Sequence, residues 1–254
     1  MPAISFQSVS KEFKHGSSIN KVLNGITFNA NNREFVSIVG PSGCGKTTIL
    51  KLISGLSEPD GGRITIFDKR PVDASRNRLF GMVFQDLALF PWLTAAENVA
   101  LPIKIKRDSA YSDQSIIRAL SAVGLGDFAK HFPDQLSGGM KQKLALARCL
   151  VINPKIMLLD EPFANLDELT RHKLDVDLSL LFENSTKPLS SIVLVTHSID
   201  EAVFLSDKVI VVSGPPSKVM EIVNIPLERP RKKELRHSKK FFELTGKIRQ
   251  LCGG

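Results

Sequence analysis

The sequence predicts an α/β fold around a mixed sheet, and three observations carry that prediction. A buried-type strand, EFVSIVG at 34–40, runs into a glycine-rich stretch and then into a helical pattern. Short segments of alternating apolar and polar residues lie on either side of it. Beyond Asp86 the apolar runs lengthen into helical patterns, and strand character returns after about Asn153.

Taken in order, AISFQSV, KVLNGITFN and RITIF alternate and are separated by Gly, Asn and Asp, which reads as antiparallel strands. In TTILKLISGL, residues Ile49, Leu50, Leu52, Ile53 and Leu56 recur at helical spacing. The stretch from Asp86 to about Asn153 reads as helical, with turns at Pro91, Pro102, Gly124 to Gly126 and Pro133. KIMLLD, SIVLVTH and KVIVVSG then read as strands. The expected division is 1–85, an antiparallel β subdomain with the first part of the sheet core, including the glycine-rich stretch; 86–153, a helical insertion; 154–226, the rest of the core; and 227–254, a basic tail.

The formal charge of +8 suits an anionic ligand, a membrane surface or nucleic acid. More than half of it lies in Glu228 to Lys240, where seven Lys and Arg face two Glu, and this stretch reads as a solvated, partly helical surface or as a contact for anionic lipid. Cys44, Cys149 and Cys252 are widely spaced and form no Cys-x-x-Cys pair, so reduced thiols are expected. No apolar run approaches the roughly 18 residues of a membrane span, and the N-terminus lacks a basic region followed by an apolar one. A soluble chain that stays in the cytoplasm is expected.

Gly40, Pro41, Ser42, Gly43, Cys44, Gly45, Lys46, Thr47 and Thr48 fit G-x-x-x-x-G-K-[ST], between a strand and a helix as that pattern requires. Glycines let successive N–H groups turn inward onto phosphate oxygens, and the following helix adds its positive end. Lys46 supplies charge to the terminal phosphates, and the Thr47 hydroxyl is a ligand for Mg²⁺. The loop alone leaves a kinase, a GTPase or a motor open.

Leu136 to Met140 (LSGGM) opens a second helix, KQKLALARCL, with Ser137 as a good N-cap. Gly138 and Gly139 let another surface approach its free N–H groups, while Lys141 and Lys143 oppose the helix dipole, which hints at an anionic ligand. One chain thus has two phosphate-binding elements, although the first already encloses a triphosphate.

On these residues the chain resembles the ATPases of the ABC (ATP-binding cassette) class, whose signature motif LSGGM matches. The resemblance implies a RecA-like P-loop NTPase core and a head-to-tail homodimer in which Ser137, Gly138 and Gly139 complete the partner's ATP site. It covers nearly the whole chain. Gln85 resembles the Q-loop glutamine that touches Mg²⁺ and the attacking water. IMLLDEP resembles Walker B, in which Asp160 holds Mg²⁺ and Glu161 acts as general base. His197 resembles the switch histidine that contacts the γ-phosphate. Phe13 takes the place of the aromatic that stacks on adenine, usually Tyr, though an aromatic so near the N-terminus reads equally as core. Ala164 to Asp167 (ANLD) resembles the D-loop, whose Asp organises the dimer contact, and Asn165 stands where the family usually has Ala.

PWLTAAENVALPI and VVSGPPSKVMEIVNIPLERPR resemble the nitrate, sulfonate and taurine importer ATPases. That implies two transmembrane permease subunits, an external solute-binding protein met only through them, a small polar or anionic solute, and a peripheral place on the cytoplasmic face of the plasma (inner) membrane. In such importers the region of Phe90 to Asn98 receives the permease's coupling helix; as plain structure, Phe90 and Trp92 read equally as core. An ABC ATPase acting on nucleic acid or ribosomes is the alternative. Only 51 residues separate Gln85 from Ser137 and no sustained heptads occur, so no nucleic-acid partner is expected. A regulatory nucleotide sensor is a third reading, against which Glu161 and His197 argue.

Overall fold

Runs such as FVSIV, IMLLD and SIVLV have no polar face, so they are stable only where both faces are covered. The structure is a computed structural model and describes residues 2–16, 18–105, 112–184 and 189–253. Strands β1 (Pro2–His15) and β2 (Ser18–Asn31) pair antiparallel. Strand β3 (Phe35–Val39) leads through the glycine loop to helix α1 (Lys46–Ile53). Strand β4 (Gly61–Ile66) pairs with β1, and the short α2 (Pro71–Arg76) precedes β5 (Phe80–Val83). Three helices follow, α3 (Ala95–Ile105), α4 (Asp113–Ala122) and α5 (Gly138–Leu150). Then come β6 (Ile156–Asp160), α6 (Glu168–Glu183), β7 (Ser191–Val195), α7 (Ile199–Leu205), β8 (Lys208–Val212), β9 (Val219–Asn224) and α8 (Lys239–Leu251).

One sheet is antiparallel with order β2-β1-β4; the other has order β5-β6-β7-β3-β8-β9, parallel except for β9. Alternate residues of the central strands feed two cores. Val36, Ile38, Leu158, Val193, Val195 and Ile210 join Phe6, Ile26, Ile49 and Leu52 on the side of the antiparallel sheet and α1. Phe35, Val39, Leu159, Leu194 and Val211 join Leu144, Leu174, Phe204 and Phe241 on the side of the later helices. The two-residue period of a strand thus produces a three-layer α/β protein in the P-loop NTPase manner. Cys44, Cys149 and Cys252 are free thiols.

Two local expectations are corrected. Helix α1 stops at Ile53, because Ser54 closes it and Gly55 turns with φ 72°; a Cβ there would lie 2.9 Å from the Val72 nitrogen. Leu56 therefore falls beyond the helix and is exposed. Pro102 lies inside α3 rather than at a turn, where it forgoes one helical hydrogen bond. Within the stretch read as helical, residues 106–111 lie outside the described residues.

Phe90 and Trp92 are not core: they are 39% and 69% exposed and meet edge to face, with ring centres 5.4 Å apart. The buried Asn98 explains how they are presented. Its Oδ1 accepts from the Phe90 N–H at 2.9 Å, and its Nδ2 donates to the carbonyls of Phe90, Leu93 and Thr94. Thr94 and Glu97 form a reciprocal capping pair at the start of α3.

The basic tail is partly helical and its lysines at 232, 233, 239 and 240 are exposed, as expected, but Arg229, Arg231 and Arg236 are not. Arg229 donates from Nε and Nη2 to Asp207 Oδ1 at 3.1 and 3.0 Å, and Arg231, 1% exposed, donates to the Phe204 carbonyl at 2.7 Å. Arg236 pairs with the buried Asp175. Long arginine stems can be buried where each head finds fixed oxygens, which a count of charges does not show.

Candidate active site

In a parallel sheet the loops beyond the carboxyl ends of neighbouring strands share one edge. Here β3 leads into Gly40, β6 ends at Asp160, β7 leads to Thr196 and His197, and β5 leads to Gln85. The register pairs Ile38 and Asp160 each with Val195, and Val83 with Leu159, so these ends lie at one level.

The glycine loop has little room for side chains at two points. A Cβ on Gly40 would lie 2.6 Å from the Val212 carbonyl oxygen, and one on Gly45, at φ 91°, would lie 2.5 Å from Val22 Cγ1. Gly43 also turns with φ 74°. Pro41 and Ser42 are exposed on the rim, Cys44 is buried and Thr48 is half-buried. Lys46 curls over the loop, its Nζ donating to the Gly40 and Pro41 carbonyls at 2.9 Å each. No side chain caps α1 and its first turn has no acidic residue, so its leading N–H groups face the loop with their partial positive charge.

The Thr47 hydroxyl donates to Asp160 Oδ1 at 3.1 Å. Burial pushes the Asp160 carboxyl above its ordinary range, and the Thr47 bond offsets part of that rise. A hydroxyl and a buried carboxyl side by side form a hard-oxygen donor set that fits Mg²⁺, whose charge would relieve the burial. Glu161 has φ 45°, uncommon for a residue with a side chain, and its N–H donates to the Val195 carbonyl at 2.8 Å. Its Oε2 stands 3.1 Å from His197 Nδ1, and the imidazole is exposed.

Lys46, Thr47, Asp160, Glu161 and His197 thus converge. Gln85 is exposed in the segment after β5. Phe13, on β1, is 44% exposed rather than core, with Lys11 Nζ 5.5 Å from its ring centre. Ser137 caps α5, accepting from the Met140 N–H at 3.3 Å. Its helix packs chiefly on α3, α4, α6 and β5, whereas α1 packs on β4, β6 and β7. Gly138 and Gly139 are tight against the loop before α6 and its first turn, with a Cβ 3.2 Å from Leu166 and 3.0 Å from Thr170. Lys143 is accounted for within the chain, 2.7 Å from Asp177. Asp167 caps α6, and the bond from Thr170 holds its carboxyl below the usual range.

Several residues around this edge carry no sequence motif. Arg148 of α5 donates to the carbonyls of Leu87 and Ala88, binding the segment after Gln85 to the helix that Ser137 caps. Ser217 donates to the Cys44 carbonyl from the turn between β8 and β9. Their partners lie 61 and 173 positions away in the chain. Only the terminal Arg of KQKLALAR, facing back from a helix, offered a local signal. Among the described residues, no group of three His, Cys, Asp or Glu could hold a metal, and no helix is long and apolar enough to cross a membrane.

A family model described as "ABC transporter" matches residues 23–164. The aliphatic sulfonates import ATP-binding protein SsuB of Bacillus cereus is 37% identical over 247 residues, which cover 97% of this chain and 94% of that protein. The bicarbonate transport ATP-binding protein CmpC of Synechococcus elongatus is 39% identical over 251 residues, 96% of this chain but 37% of that longer protein. Among solved structures, the dimeric structure of MJ0796, a bacterial ABC transporter cassette, superposes with a TM-score of 0.76 at 34% identity, covering 89% of this chain and 100% of that one. The same cassette in a post-hydrolysis state bound to ADP and Pi gives 0.75 at 34% identity.

Proposed function

The chain belongs to the ABC transporter family and is an ATPase, and from that premise we propose that it energises import of a small polar or anionic solute through a partner permease. The observation that carries the hydrolytic part is the convergence of strand ends that sets Glu161 Oε2 beside His197 and Thr47 beside Asp160.

In this reading Lys46 exchanges its two loop carbonyls for the terminal phosphates, and the N–H groups of Gly43 to Thr48 close around them. Thr47, Asp160 and Gln85 would hold Mg²⁺, which would supply charge neutralisation to the phosphates. Glu161 takes the proton of the attacking water as general base, and His197 donates to the γ-phosphate. Phe13 offers its exposed ring to adenine. Ser137, Gly138 and Gly139 open a helix that packs chiefly on α3, α4, α6 and β5, whereas α1 packs chiefly on β4, β6 and β7, which favours their serving the nucleotide of a second copy in a head-to-tail dimer.

The importer part is supported by relatives named for sulfonate import and bicarbonate transport. An apolar groove of about 330 Å³ lies between Phe90, Leu101, Pro102, Ile105 and Arg148, beside the exposed Trp92. Because Arg148 also holds the Gln85 segment, a permease helix seated there would be mechanically joined to the nucleotide site. The place of action is then the cytoplasmic membrane surface.

The test is Glu161→Gln, purified from native membranes with ATP present. The variant should bind ATP, dimerise, retain a pair of membrane subunits and hydrolyse at least about a hundredfold more slowly than the native protein. Native-like turnover overturns the role of Glu161. Recovery without membrane subunits overturns the importer reading.

A further inference from the structure

The hydrolytic reading leaves the basic C-terminal segment without a task, yet that segment reaches toward His197. Arg236 lies in the short 3₁₀ turn Lys233–His237 and meets two helices. Its Nη2 donates to Asp175 of α6, which is wholly buried, and its Nη1 donates to the Asp200 carbonyl at 3.5 Å, in the first turn of α7. Its guanidinium lies 4.1 Å from the Phe204 ring centre. Glu201, the second buried carboxyl here, follows Asp200 directly in the first turn of α7, so the Arg236 bond to the Asp200 carbonyl falls on the peptide that joins them.

Glu201 is bonded to the turn that carries the histidine. The Thr196 hydroxyl donates to Glu201 Oε2 and accepts from the Ser198 N–H at 3.0 Å, while Ser198 Oγ accepts from the Glu201 N–H at 3.3 Å. These bonds bracket His197, the exposed member of the turn, whose Nδ1 lies 3.1 Å from Glu161 Oε2. The Thr196 N–H donates to the Ile38 carbonyl at 3.3 Å, which references the turn to the strand of the phosphate loop.

A cluster serving only to fill the core would be expected to be apolar or fully paired. This one is neither: Glu201 Oε1, Asp175 Oδ1 and Arg236 Nε are buried without a hydrogen-bond partner. Retained buried charge of this kind specifies geometry at a cost in stability. We propose that Arg236 is a positioning residue for His197: by holding Asp175 of α6 and the Asp200 carbonyl of α7 it fixes the first turn of α7, where Glu201 bonds Thr196, and with it the turn that sets the imidazole against Glu161. The proposal rests on the role given to His197 above.

The experiment is a double-mutant cycle of Thr196→Val, which removes the hydroxyl while keeping the shape, and Arg236→Met, in the full-length protein. Each variant should lower kcat by about tenfold or more while KM for ATP stays within about threefold. The double variant should turn over no more slowly than the slower single one, within about twofold, because both cut one chain of contacts. Arg236→Lys should recover part of the lost turnover; should Arg236→Met fail to fold, Arg236→Lys takes its place in the cycle. Multiplying losses in the double variant, or a loss confined to KM, overturn the proposal. His197→Ala separates the two levels. If it turns over like the native protein, the role of His197 itself falls; if it is slow while Thr196→Val and Arg236→Met are native-like, only the positioning falls.

Discussion

Glu201 and Asp175 place two carboxyls where water does not reach, and burial raises the pKa of each above its ordinary value. The groups facing Glu201 are Asp175 and Arg171 from α6, Arg236 from the C-terminal segment and the Thr196 hydroxyl. Arg236 sits directly on Asp175, so Asp175 keeps the charge and Glu201 keeps the proton. In the unfolded chain Glu201 would lose that proton near its ordinary value of 4.5. Its raised folded value therefore contributes stability that is fully present below about pH 4.5 and is lost as pH rises through the folded value. Glu201→Gln keeps a carbonyl for Thr196 and has no proton to lose. Urea unfolding at pH 5 to 9 should show the variant gaining on the native protein as pH rises, by at most about 1.4 kcal/mol per pH unit. Two curves separated by a constant amount would place the proton elsewhere. Glu161 shows a different economy: its backbone sits at φ 45° and is held by the Val195 carbonyl, so strain there is maintained by the strand beside it.

The turn between β8 and β9 shows how an element supports a site it does not line. Its wholly buried Ser217 donates through Oγ to the Cys44 carbonyl and through N–H to the Val22 carbonyl at 2.8 Å, so the glycine loop and β2 share one anchor. Val22 is also the residue against which Gly45 is closely packed. Ser217→Ala leaves a carbonyl inside the loop without its donor. It should cost about 1 to 3 kcal/mol in urea unfolding and raise KM for ATP with less effect on kcat; a native-like KM and stability would make the contact incidental. The glycine loop and the LSGGM cap were legible because their spacing encodes contacts within a few residues. The same holds for the buried strands, whose apolar runs need no partner to be identified. Ser217 was not legible, since its partner lies 173 positions away and a serine after two prolines has many uses. Leu56 and Pro102 are illegible for the opposite reason: the local period favours helix at one and the proline favours a turn at the other, whereas Gly55 and the packing of α3 against α5 decide the outcome.

At the scale of the whole molecule, the excess of positive charge is partly internal. Asp207 collects it: one carboxylate oxygen receives Arg229 and Arg231, and the other accepts the Phe35 N–H at 2.8 Å at the head of β3. The strand that ends in the phosphate loop is thereby tied at its start to the C-terminal segment. Farther along, Arg236 neutralises Asp175, while Phe241, Thr245 and Ile248 of α8 are buried, with α8 packed mainly on α7. A net charge counted from sequence could not show this, because it sums arginines that face solvent with arginines that face carboxylates. The two pictures differ in a measurable way. A solvated tail could be removed for about 0.5 kcal/mol or less. Removing residues 228–254 from the structure described here strips Asp175 of its buried partner, which alone costs about 3 to 5 kcal/mol, and uncovers an apolar face of α7 as well. Against a typical total of about 5 to 15 kcal/mol, the shortened chain should lose most of its urea midpoint or fail to fold. A truncated protein with a native midpoint would return the segment to the surface. It would also sever the path from Arg236 to His197 on which the positioning proposal depends.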